Sequence, residues 1–295
     1  MRAQGIPQAE LVVPFASSAR IRAFAIKAVG GEQDPRARAL RLYDAIVILK
    51  RRNAIAADRD NKPKAREPKT ADALLAVALG DEHGNAQAGC YELSALYVAA
   101  ARVLGLDAVG LERDDAVGTG QIGHVMAGVR FRGAELLAVF DLQNETRASG
   151  APYVVLDDPA FVAHHYNHRG VALYLQRDYA RALAVFDEAL ALAPDSASLL
   201  NNRATTLLAQ GEPSLAAAEA MRAVELRPAV PLYRYQLGRA LMQGAALEDA
   251  AACFSEALRL APRYGLARRE LGWSLLLRGD IEGAERFYRR MTEWD

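Results

Sequence analysis

The sequence predicts an α+β domain over residues 1–160 followed by an all-α solenoid over 161–295. Three observations carry this reading. Prolines at 194, 228 and 262 recur every 34 residues, the mark of a repeat whose units bury their apolar faces by stacking. Residues 124–131 and 135–142, HVMAGVRF and ELLAVFDL, leave the helical period and read as two strands. Ahead of them, apolar segments with helical spacing alternate with polar turns.

Composition narrows the function classes. Lys plus Arg and Asp plus Glu both number 36, so no overall basic field argues for nucleic acid or an anionic membrane as the main partner. With 52% hydrophobic residues each domain can fill a core. The two cysteines, Cys90 and Cys253, fall in different structural units and predict no disulfide framework. No run approaches the ~20 apolar residues of a membrane helix, and residues 1–30 lack the pattern of a secretory signal. The expected location is cytoplasmic; a chain already relieved of a signal would read the same way.

In chain order, residues 17–29 and 36–52 read as two helices, with Leu40, Tyr43, Ile46, Val47 and Lys50 along one side of the second. Residues 50–69 carry eight basic and three acidic residues and read as a solvated loop. Thr70 caps a short helix, ADALLAVAL. A loose Asn-Ala-Gln-Ala-Gly run then delivers the chain to Cys90 at the start of the next helix. The two strands that follow are joined by Arg132-Gly133-Ala134 as a hairpin.

Cys90 therefore sits where unpaired N–H groups and the helix dipole stabilise a thiolate, although a helix start also suits an ordinary packed cysteine. The hairpin brings His124, at the beginning of one strand, towards Asp141, at the end of the other. A carboxylate can then hold one ring nitrogen and leave the other for the thiol, the nucleophile, base and orienter of covalent catalysis. The stretch AGCYELSALYVAAARVLGLDA, with GHVMAGV at 123–129 and AVFD at 138–141, resembles the transglutaminase-like superfamily of papain-type cysteine enzymes. That resemblance implies a Cys90–His124–Asp141 triad performing acyl transfer on an amide or peptide, as a peptidase, amidase or transglutaminase. It needs no cofactor. The Cys90 N–H is the expected oxyanion donor, with the Gln87 side chain a weaker candidate.

Aligned on the prolines, Ala182, Ala216, Ala250 and Ala284 fill one column, and Gly170, Ala204, Gly238 and Gly272 another. Phe186, Ala220, Phe254 and Tyr288 fill a third. This pattern resembles the tetratricopeptide repeat, with units at 163–196, 197–230, 231–264 and 265–295. Such arrays hold extended peptides in a groove lined by the first helix of each unit, which implies Asn167, Asn201, Tyr235, Arg239, Arg269 and Trp273 as peptide-facing residues and a protein or peptide as partner. His164, His165 and His168 have helical spacing but no further ligand nearby, so no metal site is expected. Cys253 reads as a packing residue beside Phe254. In the last helix, Phe287, Tyr288, Met291 and Trp294 predict an apolar side in need of cover, with self-association as the expected cover. The alternative to an enzyme is an inactive transglutaminase-like adaptor acting as a protein–protein scaffold.

Overall fold

The computed structural model describes residues 13–52, 54–57, 66, 68–82, 87–113, 124–131, 137–148 and 153–291. The described residues form two compact units, one drawn from 13–113, 124–172 and 191–193, the other from 173–190 and 194–291.

In the first unit α1 (Ala19–Val29) starts at Ser18, whose hydroxyl accepts the Ile21 N–H, and stops at Gly30 with φ 57°. Next, α2 (Pro35–Arg51) is capped by Asp34, with proline in the first turn, where no N–H is needed. A two-residue strand, β1 (Ala56–Ala57), precedes α3 (Ala71–Ala78), which Thr70 caps as its sequence predicts. Strand β2 (Gln87–Ala88) runs parallel to β1 and leads into α4 (Cys90–Val103). Every residue of α4 from Tyr91 to Ala101 is buried, because α1, α2 and α3 pack on it from one side and the sheet from the other. Its all-round apolar character is that of a core helix.

The sheet comprises β3 (Asp107–Arg113), β4 (His124–Arg130), β5 (Leu137–Asp141), β6 (Thr146–Ala148) and β7 (Val154–Leu156), in the order β6-β5-β4-β3-β7. All its pairings are antiparallel. The expected pair β4–β5 is present, with Ala127 opposite Phe140 and Arg130 opposite Leu137; its connecting residues 132–134 lie outside the described residues. Helix α5 (Asp158–Leu175) lays Phe161 onto β3 at Gly110, where an added Cβ would lie 2.6 Å from the ring. Glycine is what lets this helix approach the sheet.

The repeats follow as α6 (Tyr179–Leu192), α7 (Ala197–Gln210), α8 (Pro213–Leu226), α9 (Pro231–Gln243), α10 (Leu247–Leu260), α11 (Gly265–Leu277) and α12 (Ile281–Met291). Helices α7, α9 and α11 begin at the predicted repeat starts, whereas α5 begins at Asp158, ahead of residue 163. The alanine column 182, 216, 250 and 284 is buried throughout. Small residues stand where rings cross: a Cβ on Gly238 would lie 2.7 Å from Phe254, and one on Gly272 would meet Tyr288.

Two expectations need correction. Residues 50 and 51 belong to α2, as the helix reading of 36–52 expects and the loop reading of 50–69 does not, and Lys50 is buried with its ammonium bonded to the Leu142 and Gln143 carbonyls. Within the same stretch Arg66 donates to Glu92 of α4 at 2.6 Å, while residues 58–65 lie outside the described set. The supposed uncovered side of the last helix is also partly filled. Phe287 is partly buried against the core that holds Phe254, Ala267 and Leu271, and Tyr288, though 39% exposed, meets Gly272. Trp294 and the Met291 side chain lie outside the described residues.

Candidate functional site

The site is assembled by α4, β4 and β5. Cys90 is the first residue of α4, after Gly89 at the cap position. Gly89 has no side chain to offer the first-turn amides; its own N–H donates to the Glu92 carboxylate at 2.9 Å. Four residues into the helix, buried Ser94 donates to the Val125 carbonyl at 3.1 Å, tying α4 to β4 one residue beyond His124. This bond sets the distance between helix start and strand start.

His124 and Asp141 are both buried, and the His124 Nε2–H donates to Asp141 Oδ2 at 2.8 Å. The same imidazole hydrogen-bonds Cys90, which leaves Nδ1 as the atom facing the thiol. Burial pushes the His124 pKa down, but the hydrogen bonds to Asp141 and Cys90, reinforced by their charges, more than reverse this and raise it to about 10. Burial likewise pushes Asp141 up, while the His124 hydrogen bond and charge and two bonds from Asn144 hold it below the ordinary carboxylate value. The Asn144 N–H donates to Oδ1 at 3.1 Å and its amide to Oδ2 at 2.8 Å. The arrangement is an imidazole held between a carboxylate and a cysteine sulfur.

Cys90 is half-buried. Gln87 is exposed on β2, three residues upstream. Glu92 is buried against its charge preference, yet the His168 and Arg66 charges and the Gly89 N–H keep it ionised. Among the three histidines of α5, His164 faces Glu112 at 3.7 Å, and His165 and His168 pack on the Tyr91 ring. Among the described residues no group of side chains has the makings of a metal site. Sequence reasoning missed Asn144, Ser94 and Glu92. Only Glu92 had a local signal, an acidic residue three places after a helix cap.

In the second unit the predicted groove residues differ in access. Asn201 and Tyr235 are buried, Tyr235 between the Phe254 and Tyr264 rings, whereas Arg239 is half-buried above the Tyr235 ring. Arg269 and Trp273 are exposed. Gln236 of α9 donates to Thr205 of α7 at 3.1 Å, linking first helices of successive repeats. The Asn201 Oδ1 is buried without a hydrogen-bond partner. Asn167, buried on α5, belongs to the first unit. Cys253 is half-buried against the core around Leu200 and Leu237, a packing role.

Two tetratricopeptide-repeat family models match this chain, one at residues 166–196, the other at 201–259 and again at 235–294. The C-terminal part is therefore an array of tetratricopeptide repeats. Similar solved structures include the MamA RS-1 ArsTM double mutant, at 26% identity over 44% of this chain and 74% of that one, with a TM-score of 0.42. MamA 41-end from Desulfovibrio magneticus RS-1 matches at 24% identity over 46% and 85%, with a TM-score of 0.41. The first repeat domain of Spaghetti (RPAP3) bound to the HSP90 peptide SRMEEVD matches at 21% over 40% and 93%, with a TM-score of 0.39. Among the described residues no helix is long and apolar enough to cross a membrane.

Proposed function

We propose that this protein binds a protein partner through its repeat array, taking an extended, acidic segment against the first helices of the repeats. The observation that carries this reading is the repeat assignment itself, since tetratricopeptide repeats suggest protein–protein interaction. The residues give the ligand its character. Arg239 and Arg269 offer guanidinium groups for carboxylates, and Trp273 offers an exposed ring. A random-peptide display selection on the immobilised full chain tests this. Enrichment of acidic peptides that compete with one another supports it; a selection yielding no competing family contradicts it.

A second reading is favoured by one specific observation, the buried His124–Asp141 contact beside Cys90. In it the first unit is a transglutaminase-like domain that acts on an amide of the bound partner. The Cys90 sulfur attacks the carbonyl carbon, the C–N bond breaks, and the His124 proton passes to the departing amine, leaving a thioester. Water or a second amine, giving its proton back to His124, then releases the acyl group. The first-turn N–H groups of α4 would receive the oxyanion. Of the two readings, binding has support from sequence comparison as well as geometry. Catalysis rests on geometry and on the resemblance of the motif residues.

The catalytic reading predicts that iodoacetamide alkylates Cys90 at least about tenfold faster than Cys253 at pH 7. Burial raises the Cys253 pKa, whereas Cys90 has an imidazolium as neighbour. Equal rates, measured by mass spectrometry of peptides from the native chain, would remove the basis of this reading while leaving the binding role intact.

A further inference from the structure

Lys50 lies in the last turn of α2 with only 6% of its side chain exposed. Its ammonium donates to the Leu142 carbonyl at 2.6 Å and the Gln143 carbonyl at 2.9 Å, and pairs with Glu145 at 3.2 Å. Three donors meet three acceptors, so the cation is satisfied. All three acceptors lie in the turn that follows Asp141 directly. That turn is strained: Glu145 has φ 55°, a left-handed conformation unusual outside glycine and asparagine. The same turn carries Asn144, whose two donors hold the Asp141 carboxylate.

A buried cation is an expensive way to fasten a turn, since an apolar contact of the same size often stabilises as well or better. We infer that Lys50 is a positioning residue for Asp141: by holding the 142–145 turn it keeps Asn144 and the carboxylate fixed against His124. This rests on the reading of Cys90, His124 and Asp141 as a working group. Charged and titratable groups face the relay as follows. His124 is faced by Asp141 and Cys90; Asp141 by His124, with Tyr43 of α2 in electrostatic range; Glu145 by Lys50 and by Arg51 at 3.0 Å.

The sign of one titration separates positioning from a simple charge effect. Acting only through space, the Lys50 charge disfavours a proton on His124, so Lys50→Met would raise the His124 midpoint. A positioning role predicts the reverse. Once the turn loosens, His124 loses its carboxylate and its midpoint falls by about one unit or more. The measurement is an NMR titration of the His124 ring in the full chain, comparing native protein, Lys50→Met and Arg51→Ala. Arg51 is 70% exposed, and its removal should leave the midpoint unchanged.

Should Lys50→Met not fold, Asn144→Ala at an exposed position carries the test through the His124 Nε2–H resonance. Exchange of that proton with water is predicted to accelerate about tenfold or more in either variant. An unchanged or raised midpoint in folded Lys50→Met overturns the inference, as does an unchanged exchange rate in Asn144→Ala. Failure of the catalytic reading looks different: Cys90 would alkylate no faster than Cys253 in the native chain, whatever the His124 resonance does.

Discussion

His165 shows how one buried side chain sets the acid behaviour of the first unit. It lies against the Tyr91 ring and edge-on to Tyr166, and burial, with help from the His168 charge, pushes its pKa down to about 4. The unfolded chain binds a proton there below about pH 6.5, whereas the native chain does not until about pH 4. The His165 share of the unfolding free energy should therefore fall as pH drops through this window, by about 2 kcal/mol between pH 7 and pH 5. His124, raised to about 10, stays protonated in the native chain across this window while the unfolded chain gains that proton near pH 6.5, so it offsets part of the His165 loss. Its stabilising share is lost instead as pH rises from about 6.5 through about 10. Urea titrations at pH 7 and pH 5 check this: His165→Phe should remove most of the acid loss, and an unaltered loss would assign it elsewhere.

Among the helices, the repeat columns explain one another in pairs. Where the first helix has Ala204 the second has Ala220; where it has Gly238 or Gly272 the second has Phe254 or Tyr288. At the glycine crossings the ring comes from the second helix; at the alanine crossing two small residues lie in one core. Gly238→Val should consequently cost about 2 kcal/mol despite the better helix propensity of valine, because its branches enter the space of the Phe254 ring. Ala204→Gly should cost only about 1 kcal/mol, the propensity difference. Equal costs in urea unfolding of the two variants would contradict the pairing.

These helices were legible in sequence because the 34-residue period repeats the same small and large positions. The β4–β5 pair was legible from its own apolar runs. Strands β6 and β7 were not: at three residues each they are defined by the neighbours they join, and no local period announces them. That Cys90, His124 and Asp141 come together could be read because they stand at a helix start and at the start and end of two paired strands. Asn144 and Lys50 could not. An asparagine in a turn and a lysine at a helix end are ordinary polar residues until folding brings α2 to a turn some 92 residues away.

For the whole molecule the central claim is that the repeat array holds an acidic partner segment. The distribution of access decides which residues should matter. Tyr235 and Asn201 are buried and shape the surface, while Arg239, Arg269 and Trp273 can touch a ligand. The direct measurement is calorimetric titration of a display-selected acidic peptide into the full chain, the Arg239→Glu, Arg269→Glu double variant, and Cys90→Ala. The account predicts binding to the native chain, affinity at least about tenfold weaker in the double variant, or about 1.4 kcal/mol, and no change in Cys90→Ala. Equal affinity for the native chain and the folded double variant would contradict it.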